Sequence, residues 1–495
     1  MPNCRTMCLP GALACLVASA PVLASGITIV THGFNADMTW VDAMANAIAA
    51  RAGTPGVNVT RLNLVVTQSG GNLVVTPSPV AVAPESTFTT GEFVIGLDWT
   101  AIDSFARTPE PVLPPGEEAT PTQNVAQAVF NYLETWSYGG KSMLAHPFHL
   151  IGHSRGGALV ASLARSMGER GVWADHLTTL DPVPVSLFGD AAARVVNTVV
   201  FADNIWQNVA LPSGSSLAGA FNQQMGNLGS SNHSRIHTYY YGTIDPSATG
   251  DGECTSCISQ SWYTQDVDTH ARAQSGYWYS RLAGGDRTGT QAAAGLLNTL
   301  GGTAIVGTNG RLAVTVTQPA WPNVFNVQTD ATSIPAGGSN FTDFLYQSSG
   351  VSVQVAAYAS DDSNPAHGGL LLGMISLGPA ATPTFASIPW NVTPPARSQP
   401  YNIYLAITAN STNRTRYAFD TQFVTVTAPA CPGDLNNDGV VDDSDFVAFS
   451  LAYDLLDCAD PGMPAGCPAD LDPNGVVEDA DFVLFAAAYD QLVCP

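Results

Sequence analysis

Basic side chains are scarce in this chain of 495 residues. It has 17 Lys and Arg residues against 40 Asp and Glu residues, and Lys141 is the only lysine. No segment combines clustered basic residues with interleaved aromatic ones, the pattern that a phosphate-binding surface requires. We therefore do not expect a nucleic-acid partner. Well over half of the net charge of -23 lies in residues 431–495, which hold 14 acidic residues and no Lys or Arg.

A run of apolar residues long enough to cross a membrane is also missing. The N-terminal run "LPGALACLVASA" follows Arg5 and leads to Val22-Leu23-Ala24, small residues typical of a signal-peptidase site. It is shorter than the ~18 residues of a transmembrane helix. The sequence predicts a signal peptide over residues 1–24 and a secreted protein, extracellular or periplasmic. A lipid anchor on Cys15 is disfavoured, because Ala12 stands where such signals usually carry leucine.

Six of the nine cysteines remain after the signal peptide is removed: Cys254, Cys257, Cys431, Cys458, Cys467 and Cys494. An even number of cysteines in an exported chain favours disulfides over free thiols. The pair in "CTSC", residues 254–257, could supply half of a zinc site, but no second pair with this spacing follows. A local disulfide is the favoured interpretation.

The hydrophobic pattern divides the remaining chain into three domains. Over residues 25–282, strand-like segments such as "GITIV" and "FHLIG" alternate with helix-like ones, which predicts a mostly parallel sheet with helices on both faces. Residues 283–311 are rich in Gly, Thr and Ala and are predicted to be a linker. Residues 312–428 contain alternating strings, among them "LAVTVTQ" and "VSVQVAAYAS", which are typical of an all-β sandwich. The third domain is the acidic tail.

A nucleophile turn is the leading interpretation of "HLIGHSRGGALV". Gly152 and Gly156 flank Ser154 at the transition from an apolar strand to a helix, and such a sharp turn tolerates only small neighbours. The backbone N–H of Arg155, at the helix start, could bind an oxyanion. Phe34, in "THGF" after the first strand, could supply a second backbone N–H. The alternative is a glycine-rich turn in which Ser154 only caps the helix.

The stretches "HGF", "GHSRGG" and "LDPV" resemble the lipase and esterase branch of the α/β-hydrolase family. In that family the order along the chain is nucleophile, acid, histidine. The resemblance implies Asp181 as the acid and His233, in a loop before an aromatic stretch, as the base. Asp203 at the end of "NTVVFAD" and His237 remain the alternatives. The family usually carries another residue at the position of Arg155, which leaves the serine chemistry intact.

A repeat with a shift of 36 residues fills the acidic tail, where "CPGDLNNDGVVDDSDF" recurs as "CPADLDPNGVVEDADF". Each copy has oxygen-bearing residues at positions 1, 3, 5, 9 and 12 of a calcium loop, a glycine at the turn and a backbone carbonyl at position 7. The predicted ligands of the first loop are Asp434, Asn436, Asp438, Val440, Asp442 and Asp445. Those of the second are Asp470, Asp472, Asn474, Val476, Glu478 and Asp481. Asn474 stands where the first loop has Asp438, and weaker calcium binding is expected in the second loop.

The tail resembles a dockerin module, because each loop begins three residues after a cysteine, without room for the first helix of an EF-hand. The resemblance implies structural Ca²⁺, a duplicated loop and helix, and a cohesin-like scaffold partner. The cysteines that bracket each copy are a departure from the family. They suggest disulfides between Cys431 and Cys458 and between Cys467 and Cys494.

The sequence as a whole predicts a multidomain protein with an α/β-hydrolase fold, a β-sandwich and a small α-helical calcium-binding tail. The expected function is a secreted serine hydrolase that cleaves a lipid or polysaccharide ester, with no metal in catalysis. A catalytically silent calcium-dependent binding or scaffold protein is one alternative. A peptidase on the same scaffold is another, since bond preference depends on pocket shape.

Overall fold

The computed structural model describes residues 26–52, 59–79, 92–104, 120–138, 140–281, 287, 294, 310–427, 431–436, 438–464 and 466–490. The predicted signal peptide, most of the predicted linker and Cys494 lie outside the described residues.

The first part of the chain alternates strands and helices around an eight-stranded sheet. Its elements are β1 (Ile27–Thr31), α1 (Thr39–Ala52), β2 (Thr60–Ser69), β3 (Asn72–Ser78), β4 (Phe93–Asp98), α2 (Thr122–Thr135), β5 (Ser137–Tyr138), β6 (Lys141–Ser142), β7 (Phe148–His153), α3 (Arg155–Glu169), β8 (Ala174–Leu180), β9 (Val199–Gln207), β10 (Phe221–Met225) and α4 (Asn232–Ile244). The strand order is β10-β9-β8-β7-β1-β4-β2-β3, with β5 and β6 in a separate small hairpin. Every neighbouring pair in the large sheet is parallel except β2 with β3. The carboxyl ends of seven strands therefore lie along one edge.

Helices cover both faces of this sheet. Ile29 of β1 shares a core with Val129 of α2 and Leu163 of α3. The next residue, Val30, shares the opposite core with Met44 of α1 and Tyr240 of α4. Successive strand residues point to opposite faces, so β1 and β7 are buried along their whole length. The helix α3 and the helix α4 thus lie on opposite faces and approach each other only at the carboxyl edge.

Two further sheets enclose a separate core in the second part of the chain. The strands are β11 (Asn323–Thr329), β12 (Ser333–Pro335), β13 (Phe341–Gln347), β14 (Val353–Ser360), β15 (Leu370–Leu377), β16 (Thr384–Pro389), β17 (Tyr401–Ala409) and β18 (Thr415–Thr427). One sheet has the order β11-β13-β16 and the other β12-β18-β17-β14-β15. Val355 and Leu405 from the larger sheet and Phe344 from the smaller one belong to the same core.

The segment "LAVTVTQ", expected to be a strand of the sandwich, instead lies along the first part of the chain. Leu312 exchanges backbone hydrogen bonds with Val195 and Asn197, and the N–H of Thr317 donates to the carbonyl of Glu169 at 2.7 Å. The alternation of apolar and polar residues in this segment therefore reflects packing of one of its sides on the α/β part, and not strand pairing within the sandwich. Farther along, Arg416 of β18 donates to the Trp173 carbonyl at 3.1 Å, which joins the two parts directly.

The acidic tail contains two helices, α5 (Asp443–Leu455) and α6 (Asp479–Tyr489), each preceded by an acidic loop. Phe449 of α5 and Phe485 of α6 stack with ring centroids 4.9 Å apart in the small core between them. The hydroxyl of Tyr453 on α5 donates to the carboxylate of Asp479 at 2.5 Å, and Tyr489 on α6 donates to Asp443 in the equivalent way. The two units are therefore related by an approximate twofold.

The disulfide pairing expected within each copy is wrong for Cys458. This residue pairs with Cys467, with the Cα atoms 5.4 Å apart, so the bond joins the two copies. The reason is that the chain after α5 runs beside the second loop, where the N–H of Cys458 donates to the carbonyl of Gly475. Cys431 is also disulfide-bonded, with a partner other than Cys458 or Cys467. Cys254 and Cys257 form a disulfide with each other.

Candidate active site

Ser154 occupies a strained turn between β7 and α3. Its φ and ψ are 56° and -124°, which is unusual for a residue with a side chain. A Cβ atom on Gly152 would lie 2.2 Å from the carbonyl oxygen of Gly156, and one on Gly156 would lie 2.3 Å from that of His32. Both glycines are therefore required by close backbone contact, as the turn pattern predicts.

The turn after β1 lies against the same serine. A Cβ atom on Gly33 would lie 2.6 Å from Cβ of Ser154 and 3.1 Å from the backbone nitrogen of Arg155. His32 fixes this turn, because its Nε2 accepts from the N–H of Trp99 at 3.3 Å and its Nδ1 therefore donates to the carbonyl of Gly33 at 3.0 Å.

The two residues expected to donate to an oxyanion, Phe34 and Arg155, directly follow Gly33 and Ser154, the residues that form this contact. Arg155 is the first residue of α3, so its N–H has no acceptor within the helix. Phe34 lines the cavity that contains Ser154, and its ring stacks on that of Phe188. The geometry brings a strand-end turn and a helix N-terminus together at the serine.

Asp181 and His233 are in direct contact. Asp181 follows β8, is fully buried, and has a φ of 43°. Its Oδ2 accepts from Nδ1 of His233 at 2.7 Å. The same carboxylate accepts from the side-chain amide of Gln207 and from the backbone N–H groups of Gln207 and Gly214. These hydrogen bonds hold the carboxylate in one orientation, in which Oδ2 is directed toward His233.

His233 lies in the first turn of α4 and not in a loop as expected from the sequence. The helix begins one residue earlier, and Oδ1 of Asn232 accepts from the N–H of Leu228, which closes the turn before the helix. Ser154 and His233 line the same cavity, which has a volume of about 490 Å³. At the carboxyl edge of the sheet, His233 therefore contacts Asp181 and lines the same cavity as Ser154.

The alternative acid, Asp203, faces a different histidine. Its carboxylate lies 2.9 Å from Nε2 of His176, whose ring stacks on His149 with the centroids 4.0 Å apart. Burial raises the pKa of Asp203 to about 6 and lowers the pKa of His176 well below its usual value. The pair is part of an internal polar network under α4, away from Ser154.

The alternative base, His237, also lines the cavity, but both of its ring nitrogens contact carboxylates. Nδ1 lies 2.8 Å from Asp251 and Nε2 lies 3.1 Å from Glu253. Its ring stacks on Trp40, with the centroids 4.4 Å apart. The sequence did not indicate a role for Asp251 or Glu253, although both lie beside the "CTSC" pair.

The side chain of Arg155 has a role that the sequence did not indicate. It is fully buried and makes two hydrogen bonds with the carboxylate of Asp190, at 2.7 and 2.8 Å. It also donates to the backbone carbonyls of Asp103 and Thr120 and lies over the Trp99 ring. This arginine, the first residue of α3, ties the connection between β4 and α2 and the connection between β8 and β9 to that helix.

The acidic loops of the tail bring together some of the expected calcium ligands. Carboxylate oxygens of Asp434, Asp438 and Asp445 lie within 4.8 Å of one another, as do those of Asp470, Asp472 and Asp481. Asn436 and Asn474 donate to carboxylates of their own loops, at 2.9 and 3.0 Å.

The remaining ligand positions are helix caps or turn residues. Asp442 and Glu478 are the N-caps of α5 and α6, and Val440 and Val476 follow the turn glycines. Because residues 431–495 contain no Lys or Arg, these crowded carboxylates lack a counter-charge from their own segment. An oxygen-rich set with this spacing fits a hard divalent cation.

Comparisons with known proteins add little to this geometry. No model of a known protein family matches the chain, and no curated protein matches it. Among solved structures, 22% of the chain is similar to 30% of the Pseudomonas fluorescens alkylpurine DNA glycosylase AlkC bound to DNA, with 16% identity and a TM-score of 0.14. In a second comparison, 61% of the chain is similar to 69% of an engineered protein, with 13% identity and a TM-score of 0.17. The chain spans less than a third of the glycosylase, and neither similarity bears on fold or function. Over the described residues, no helix is long and apolar enough to cross a membrane.

Proposed function

We propose that the chain is a secreted serine hydrolase of the α/β-hydrolase type that cleaves carboxylic esters. The observation that carries the proposal is the contact of 2.7 Å between the buried Asp181 and His233, which lines the same cavity as the strained Ser154. Acyl transfer requires a serine on a tight turn and, in the same cavity, a histidine that is hydrogen-bonded to a carboxylate.

In the proposed reaction, Asp181 keeps the proton of His233 on Nδ1, so that Nε2 is free to take the hydroxyl proton of Ser154. The serine oxygen forms a bond with the carbonyl carbon of the ester, and the carbonyl oxygen becomes an oxyanion near the N–H groups of Phe34 and Arg155. The C–O bond to the alcohol then breaks, and His233 gives its proton to the leaving oxygen. Water repeats the sequence on the acyl-serine and releases the acid.

For the tail, we propose two structural Ca²⁺ sites and a docking role toward a cohesin-like scaffold. The acidic loops supply the oxygen ligands described above. The two helices also expose apolar side chains toward solvent, among them Val447 and Leu451 on α5 and Val483 on α6. Large exposed apolar patches on a small module favour a protein partner.

Covalent labelling tests the catalytic proposal. A fluorophosphonate probe should label the purified protein at Ser154, and hydrolysis of p-nitrophenyl esters of graded acyl length should be lost in Ser154→Ala. Ser162→Ala, a substitution on the same helix α3, is the matched control and should retain activity. A folded protein that is neither labelled nor active would favour the silent binding protein. A labelled protein that cleaves peptides but not esters would favour the peptidase.

A further inference from the structure

A loop closed by a disulfide forms one wall of the candidate active site. Residues 249–258, here called the wall loop, contain the Cys254–Cys257 bond, and the N–H of Ile258 donates to the carbonyl of Thr249 at 3.0 Å. Gly252 and Glu253 of this loop line the cavity together with Ser154. The loop has no helix or strand of its own; Cys257 and Ile258 pack against the core beneath α4, and the residues on its cavity side contact α4 itself.

His237 provides the main anchor to the rest of the site. It lies one helical turn after His233 on α4, and its two ring nitrogens contact the wall loop at Asp251 and Glu253. Asp251 is buried and also accepts from the hydroxyl of Thr238 at 2.8 Å. The Glu253 side chain is 46% exposed, so this contact is the weaker of the two.

Both contacts can be hydrogen bonds only if both ring nitrogens carry protons, which requires the imidazolium form. Burial alone would lower the pKa of His237, but its hydrogen bonds with Asp251 and Glu253 outweigh burial and raise the pKa above its usual value. The face of the Trp40 ring, stacked on His237, favours the charged form as well.

The other ionisable groups around this histidine do not replace its charge. His153 of β7 lies edge-on at 4.8 Å, and burial followed by the charges of His233 and His237 lowers the pKa of His153 well below its usual value. Neutral His153 donates from Nε2 to the carbonyl of His233 at 3.0 Å. The pKa of Glu253 is lowered mainly by its hydrogen bond with His237 and, to a smaller extent, by the positive charge of Arg235 of α4.

We propose that His237 is a positioning residue: as an imidazolium held between Asp251 and Glu253, it fixes the wall loop against α4 and thereby shapes the substrate cavity. The proposal rests on the hydrolase function proposed above. Loss of a proton takes place on the Nε2 side, because the buried Asp251 retains the Nδ1 proton. The Nε2 lone pair then faces the Glu253 carboxylate, which repels it, and the exposed Glu253 turns away. The wall is loosened, while Ser154, His233 and Asp181 keep their contacts.

The expected signature is a KM that rises by about 3- to 10-fold as the pH passes through the pKa of His237, the size expected for one partly exposed hydrogen bond. The sign follows from the raised pKa: the anchor is complete at low pH and is lost as the pH increases. The value of kcat should not show this transition.

Glu253→Gln separates this role from a merely structural one. A glutamine amide accepts from the protonated Nε2 through its oxygen and donates to the neutral Nε2 through its nitrogen. The KM of Glu253→Gln should therefore be independent of pH over the same interval, whereas Glu253→Ala should have a raised KM throughout. A flat KM in the unmodified protein, or a Glu253→Gln variant that keeps the full transition, would overturn the proposal.

A second measurement does not depend on esterase activity. In the full-length protein with ¹⁵N-labelled histidine, the resonances lost in His237→Gln identify His237, and their shifts report protonation. Two protonated ring nitrogens below the transition and one above it are expected. A singly protonated ring throughout contradicts the anchor even if the esterase function stands. An inactive protein with the expected titration would leave the anchor in place and reject the hydrolase function instead.

Discussion

Replacement of Asp181 by asparagine tests the proposed triad with a change of one atom. Oδ1 of Asp181 accepts from the backbone N–H groups of Gln207 and Gly214 at 3.0 and 2.8 Å. Oδ2 accepts from the Gln207 side-chain amide at 2.9 Å and from His233 at 2.7 Å. An asparagine can satisfy the two backbone donors only with its oxygen. Its NH2 group then faces two other donors.

His233 can avoid this donor–donor contact only by carrying its single proton on Nε2. That tautomer cannot accept the proton of Ser154, so the general base is lost while the cavity keeps its shape. We expect kcat to fall by about 10⁴-fold, equivalent to about 5.5 kcal/mol in the activation barrier. KM should change little, because Asp181 is fully buried and does not line the cavity. Steady-state hydrolysis of a p-nitrophenyl ester measures both constants, and thermal unfolding checks the fold.

Asp203→Asn is the matched control. Asp203 is buried to the same degree and also contacts a histidine, His176. We expect kcat within about 10-fold of the unmodified protein, since the pair has no contact with Ser154 and its loss affects stability instead. A folded Asp181→Asn protein within tenfold of full activity, or an Asp203→Asn protein that is the more damaged, would refute the assignment of the acid.

The sequence predicted the strand-to-helix turn at Ser154 because its signals are local. The apolar strand, the two glycines around Ser154 and the helix that follows all fall within a few residues, and the structure has each of them. The choice between Asp181 and Asp203 could not be made in the same way. The apolar run before Asp203 stops at that residue, but β9 continues through four more residues to Gln207. Asp203 therefore pairs with Thr178 inside the sheet, whereas Asp181 lies at its edge.

Contacts between residues that are not neighbours in the sequence could not be predicted from it. Nothing in the sequence connects Arg155 with Asp190 or His237 with Asp251, because these pairs are set by the packing of loops. The first turn of α4, with Asn, His, Ser and Arg, has no apolar periodicity, so His233 was expected in a loop. The β2–β3 hairpin, by contrast, has a local signal in the sequence: Gly70 and Gly71 form its two-residue turn, and both have positive φ.

Three further predictions follow from the contacts around the two sites. His233→Ala should abolish ester hydrolysis, whereas His237→Ala should retain much more of kcat; the reverse ranking would exchange their roles. Calorimetric titration of the full chain should detect two calcium sites, since each loop offers four carboxylates and one asparagine, and a chelator should leave hydrolysis largely intact. A chelator-sensitive hydrolysis would place a metal in the catalytic site. Arg155→Met should lower the free energy of unfolding by about 3–5 kcal/mol, because it leaves the buried Asp190 carboxylate without its cation. Denaturant unfolding measures this loss, and a loss below about 1 kcal/mol would mean that water or another group compensates Asp190, so that the arginine does not hold the two connections together.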